Sequence, residues 1–186
     1  MRQTILLLLL CTLLSPAFAG KPVDLTEALA AGYVTLRAEG TGGHTEGSLS
    51  VKIENLHRKD WTLRIPAGYR FLSQDTSEQD LLVVRDRTVE LEKDQGRTVR
   101  LYAFCMQARH ASPRTGSAFL AGSLVSGPLL ELARHLDGHR YKSQEIQDAV
   151  WAVTDDHPLT HIGDPELALF VSQLLGKPLP GYVIDH

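Results

Sequence analysis

This chain has almost no cysteine: Cys11 and Cys105 are the two among its 186 residues. Cys11 lies in an N-terminal apolar run that reads as a leader, so the processed chain is expected to keep Cys105 alone. A lone cysteine excludes an internal disulfide and leaves a buried thiol, an intermolecular link or a reactive group. Long apolar runs are equally scarce. Ile5 to Leu14 is too short for a membrane span and no second run follows, so no transmembrane segment is expected in the mature chain. A strong excess of one charge is also missing. Lys and Arg number 19 against 22 Asp and Glu, a formal net charge of −3. That balance gives no footprint for nucleic acid or an anionic membrane surface. There is no phosphate-binding glycine loop, no G-x-S-x-G and no H-E-x-x-H, and internal repeats are absent. No cofactor is expected.

What is present begins with a secretory signature over residues 1–19. Arg2 is the positive start, the apolar run follows, and Ala17-Phe18-Ala19 is a small-x-small cleavage site before Gly20. A secreted, periplasmic or cell-surface location follows as the expectation. The remainder is long enough for one domain with a real core.

Two halves differ in period. Over residues 20–112 apolar residues alternate, as in Leu49, Val51 and Ile53, or Trp61, Leu63 and Ile65, or Val99, Leu101 and Ala103. Period-2 patterning is the mark of half-buried strands. Leu81 to Val84 is a continuous apolar run, consistent with a strand buried on both faces, while the charged run Glu90 to Lys93 reads as a solvated edge. Pro66-Ala67-Gly68 is turn chemistry. Over residues 113–186 the period changes to 3.6. Leu129, Leu132, Ala133 and Leu136 share one helix face, Ile146, Ala149, Val150 and Val153 another, and Leu167, Phe170, Val171 and Leu174 a third. Pro128 suits the first helical turn, Ser143 and Asp164 are N-cap candidates, and Gly138 and Gly176 suit helix ends. The Gly/Ser-rich stretch Thr115 to Ser126 reads as a loop or a loose helix start. The expected architecture is α+β: an N-terminal antiparallel immunoglobulin-like β-sandwich with a small three-helix region packed on it.

Cys105 continues the alternation of Val99, Leu101 and Ala103, which points its side chain inward. Free cysteine is among the most buried residue types and packs as a small hydrophobe. Gln147 falls at the margin of an apolar helix stripe, with Trp151 one turn on as a core anchor. The same residues allow a sharper chemistry. A thiolate attacking the Gln147 side-chain carbonyl would expel ammonia and leave an internal thioester, an activated acyl group open to a target amine. Such a bond survives only where water is excluded. A base or positive charge would favour the thiolate, and Arg109, His110 and the helix start near Ser143 are candidates.

The paired segments Phe104-Cys105-Met106 and Ile146-Gln147-Asp148-Ala149-Val150-Trp151 resemble the thioester domains of bacterial surface adhesins. The resemblance implies that Cys105 and Gln147 are the cross-linking pair, with Phe104 and Trp151 supporting it. It implies an exported, non-enzymatic adhesion module and a protein or other amine-bearing surface as partner. The separation of 42 residues between Cys105 and Gln147 is shorter than that family leads one to expect. A complement-type thioester, with Cys and Gln three apart, does not fit, because Gln107 is two from Cys105.

Two other readings stand beside this one. The first is a plain β-sandwich interaction or assembly domain with Cys105 as core. The second is a metal-dependent hydrolase using the stretch Asp155 to Asp164, where His157 and His161 are weak metal-ligand candidates because Pro158 opposes a regular helix between them. Capping and loop solvation explain the same residues, so no metal is expected.

Overall fold

The computed structural model describes residues 20–43 and 48–179; the leader and its cleavage site lie outside them. After a short strand β1 (Val23–Asp24) and a helix α1 (Leu25–Ala30) come strands β2 (Val34–Thr41), β3 (Leu49–Asn55), β4 (Trp61–Ile65), β5 (Tyr69–Ser73), β6 (Leu81–Val83), β7 (Arg87–Leu91), β8 (Gly96–Leu101), β9 (Ala103–Cys105) and β10 (Thr115–Leu124). Helices α2 (Gly127–Gly138), α3 (Ser143–Thr154) and α4 (Pro165–Leu175) follow, with a 3-10 turn at Leu159–His161 before the last. The molecule is α+β, with two sheets rich in antiparallel pairs and a helical layer.

One sheet has three strands in the order β1-β4-β7, and the other has seven in the order β8-β3-β2-β10-β5-β6-β9. The β1-β4 pair is parallel, and every other named pair is antiparallel. The alternating residues fill the space between the sheets. Val51, Ile53, Leu63, Ile65, Phe71 and Leu91 are fully buried in one cluster. Leu82, Val84, Phe104 and Met106 face the other way and form a second cluster with Leu132, Ile146, Val150 and Leu167 of the helices. Strands β6 and β9 are therefore buried on both faces, which is why Leu81–Val84 carries no alternation.

Strands β8 and β9 are two halves of one extended run, separated by Tyr102, yet they lie on opposite edges of the seven-stranded sheet. Consecutive Cα atoms are about 3.8 Å apart, so the two edges must approach each other at that point. The sheet curls until the chain itself joins its margins. β3 starts at Leu49, opposite Leu101, so among the described residues β9 runs on past the end of β3 with no strand on its outer side.

Helix boundaries obey their local signals with one exception. Asp164 accepts hydrogen bonds from the amides of Glu166 and Leu167, Pro165 starts the helix, and Gly176 closes it at φ 63°. Pro128 sits in the first turn of α2. Ser143, expected as a cap, is instead the first helical residue of α3, and Lys142 holds the cap position.

The stretch Thr115 to Ser126, expected as loop or helix start, is mostly β10, at the centre of the larger sheet between β2 and β5. Its small residues serve strand packing. A Cβ on Gly122 would lie 2.5 Å from the Arg70 carbonyl oxygen, and one on Gly40 of the neighbouring β2 would lie 2.7 Å from the Arg114 carbonyl oxygen. Glycine in a strand marks such a close approach of backbones. The short helix α1 has no counterpart in the sequence reading.

Candidate functional site

Cys105 ends β9 on the overhanging part of that strand. Its fellow residues of the alternation, Leu101 and Ala103, share its cluster between the sheets, and Val99 packs against it. The thiol is thus directed inward and is fully buried. Burial pushes its pKa up from 9.0 to about 12, with the Ser112 hydroxyl pulling the other way.

Main-chain groups of successive strand residues point to alternate edges. Tyr102 and Met106 turn theirs toward the β6 side, where the Tyr102 carbonyl accepts from the Val84 amide and the Met106 amide donates to the Asp80 carbonyl. Ala103 and Cys105 turn theirs outward. The Ser48 hydroxyl donates to the Ala103 carbonyl at 2.7 Å. At Cys105 the partner is Gln147. The Cys105 amide donates to Gln147 Oε1 at 3.1 Å, and Gln147 Nε2 donates to the Cys105 carbonyl at 2.8 Å. A single primary carboxamide takes the place a neighbouring strand would fill and satisfies both main-chain groups.

Gln147 reaches this place because Ile146, Ala149 and Val150 anchor α3 against Phe104 and its neighbours. The margin of the apolar stripe then faces the strand edge, and Gln147 has no exposed surface. Phe104 lies on the helix side of β9, edge-on to Tyr102 at 5.2 Å between ring centroids. Trp151, one turn beyond Gln147, packs against the cluster that contains Cys105, and its indole N–H donates to Gln79 Oε1 at 3.3 Å.

Sequence reasoning missed Gln79, a hub that is 2% exposed. Besides the indole, it donates from Nε2 to the His110 carbonyl, and its main-chain amide donates to the Ala111 carbonyl. Asp80 was missed too. It pairs with Arg70, accepts from the Ser73 amide and from Gln107 Nε2, and its own amide donates to Gln107 Oε1. A Gln-Asp pair directly before a fully apolar run was the available signal, since polar groups so placed must find buried partners. Of the positive groups expected near the thiol, Arg109 and His110 are exposed on the loop after β9.

The stretch Asp155 to Asp164 is occupied by structural work. Asp155 accepts from the Ala108 amide and the Thr154 hydroxyl, Asp156 pairs with Lys177, and Asp164 caps α4. The His157 and His161 rings are 5.9 Å apart and perpendicular, and among the described residues no three or more His, Cys, Asp or Glu side chains converge on a metal position. Elsewhere, His135 and His139 stack at 4.1 Å between ring centroids, and Phe170 stacks on His135 at 3.8 Å.

No family model matches the chain, and neither the curated proteins nor the solved structures give a match. Among the described residues no helix is long and apolar enough to cross a membrane.

Proposed function

We propose that this chain is an exported covalent-capture module in which Cys105 and Gln147 form an internal thioester, later opened by an amine on a partner surface. The observation that carries the reading is the clamp on Gln147: a fully buried carboxamide whose two polar atoms both engage Cys105 itself. The clamp holds the carboxamide on the main chain of the residue whose thiol would attack it. Cys105 Sγ adds to Gln147 Cδ, and the carbonyl oxygen that takes up charge already accepts the Cys105 amide. A main-chain N–H in that position is the kind of donor that stabilises a tetrahedral intermediate. The thiol proton passes to Nε2, the Cδ–Nε2 bond breaks, ammonia leaves, and the Sγ–Cδ bond remains. Burial of both residues excludes the water that would hydrolyse the product. Ring opening by a primary amine forms an amide and returns the thiol.

The strand region is proposed to be a sandwich of the immunoglobulin-like class, supported by its two facing sheets of short, mainly antiparallel strands. β10 adds a strand beyond the Cys105 segment.

Intact mass tests the thioester directly. Freshly isolated protein should be lighter by one ammonia than its sequence requires, and methylamine should add its own mass while freeing a thiol. Full-mass protein with a free Cys105 and an unmodified Gln147 in its peptide map overturns the reading. Glutamate at position 147 beside a free thiol would instead record a thioester lost to water. A second reading has its own support: the raised pKa of Cys105 and the hydrogen bonds made by both polar atoms of Gln147 suit an interaction domain in which the pair only closes a strand edge.

A further inference from the structure

The surroundings of Cys105 differ sharply by direction. Toward the sandwich interior lies the core, toward the helices lie Phe104 and its cluster, toward β6 lies a paired strand, and on the outer edge lies Gln147. From the end of β9 the chain leads into the loop 107–113. Its ends are well held. Gln107 makes two hydrogen bonds with Asp80, Asp155 accepts from the Ala108 amide, and beyond the loop Arg114 pairs with Glu78. Its middle, Arg109 to Ser112, is exposed, although Cys105 has no exposed surface.

Few bonds close that middle stretch over the thiol. The Ala111 amide donates to the Ser77 carbonyl at 2.9 Å, the Gln79 amide to the Ala111 carbonyl at 3.0 Å, and Gln79 Nε2 to the His110 carbonyl at 3.1 Å. The first two form a single isolated parallel bridge between residues 78 and 111. Ser112, whose hydroxyl bonds the thiol, and Ala111 beside it are small. A strip anchored at both ends, joined at its centre by one bridge, one Gln79 contact and the Ser112–Cys105 hydrogen bond, opens by breaking few contacts.

We infer that the strap Arg109–Ser112 is the access route for nucleophiles reaching Cys105, and that Gln79 is the positioning residue that keeps it shut. The inference rests on the thioester reading for its purpose, since a sheltered acyl group needs a way in for a slender amine. Its geometry holds for the free thiol as well. Gln79 touches no reacting atom. It acts by holding the His110 carbonyl and the Trp151 indole together.

Access rates under native conditions test the gate. The full-length processed protein is treated with methylamine if its mass shows the ammonia deficit, and with iodoacetamide at Cys105 if it does not. Intact mass therefore decides the thioester, while the ratio of rates between variants decides the gate with either probe. Gln79→Ala should react about tenfold faster than the unaltered protein, the factor expected when one or two hydrogen bonds are lost. Ala111→Pro, which removes the donor to Ser77, provides the same readout if Gln79→Ala does not fold. Val89→Ala, a core truncation on β7 of the other sheet, should leave the rate unchanged. Equal rates for Gln79→Ala and the unaltered protein, or acceleration of both variants in proportion to their loss of stability, overturn the gate.

Discussion

Replacing Gln147 with leucine removes a hydrogen-bonding group from a site with no access to water, and its cost can be reasoned from the structure. Two main-chain groups of Cys105, one donor and one acceptor, lose their partner. A buried polar group left unsatisfied costs about 1–3 kcal/mol. The leucine side chain recovers part of this through apolar burial, so a net loss of about 2–4 kcal/mol is expected. That is a large share of the roughly 5–15 kcal/mol that holds a domain of ordinary stability together. A thioester would confuse the measurement, because Gln147→Leu also deletes a covalent link. The experiment is therefore a double-mutant cycle with Cys105→Ala, read by urea unfolding. In the Cys105→Ala background no cross-link can form, and the cost of Gln147→Leu is the cost of the edge closure alone. In the background with Cys105 intact, a thioester closing the 42-residue segment would add roughly 4 kcal/mol by the chain-entropy argument used for disulfides. Additive effects would mean hydrogen bonds without a cross-link. A loss below about 0.5 kcal/mol for Gln147→Leu in the Cys105→Ala background would refute the claim that the carboxamide replaces a strand, since surface changes of no structural importance fall in that range.

Three further outcomes follow from the same structure. The free-thiol form of Cys105 has a folded pKa raised by burial, so its share of stability is complete below pH 9.0 and is lost as pH rises toward about 12, where the unfolded chain ionises first; unfolding midpoints across alkaline pH should fall more for the unaltered protein than for Cys105→Ala. His135 has its pKa lowered chiefly by burial, then by His139, against the opposing pull of Glu166. The unfolded state therefore binds the proton first, stability should decline as pH falls below 6.5, and His135→Phe should lessen that decline in melting experiments. Gly122→Ala should destabilise by about 1–3 kcal/mol in thermal unfolding, because its Cβ meets a backbone oxygen that cannot step aside.

The strands with strict alternation were legible in the sequence because one face of each meets a single core. The inward direction of Cys105 followed from that same pattern, as did the helix starts at Pro128 and Pro165, where ring geometry decides the local conformation. The central strand β10 was not legible. Phe119 is its one deeply buried large side chain, and the glycines that let neighbouring backbones approach look the same in one dimension as the glycines of a loop. The pairing of Gln147 with Cys105 was legible only as two short segments. That the carboxamide would meet the main chain of Cys105 depends on where β3 stops relative to β9, a consequence of the curled sheet that no local pattern carries. Gln79 was hidden for the same reason, because its partners lie at positions 110, 111 and 151.

An unpaired strand edge invites pairing with other chains, and proteins cover such edges. That alone justifies Gln147, and in the proposed thioester the same carboxamide carbon would become the acyl group. The two roles differ in the fate of Nε2. When ammonia leaves, the Cys105 amide keeps its acceptor in the acyl oxygen, while the Cys105 carbonyl loses its donor. The lost donor costs about 1–3 kcal/mol, against roughly 4 kcal/mol from the entropy the proposed cross-link would remove from the unfolded chain, so the cross-link would be net stabilising. Aminolysis reverses that balance: the link is gone, and the new amide N–H can return to the Cys105 carbonyl only if its substituent fits beneath the strap. Hydrogen-exchange protection of the Cys105 amide therefore separates the states. It should persist in the thioester form, whose acyl oxygen still accepts that proton, and fall after capture of an amine too bulky to be enclosed. Unchanged protection after such capture would show that the edge recloses around the adduct and that bulk at this position does not prop the junction open.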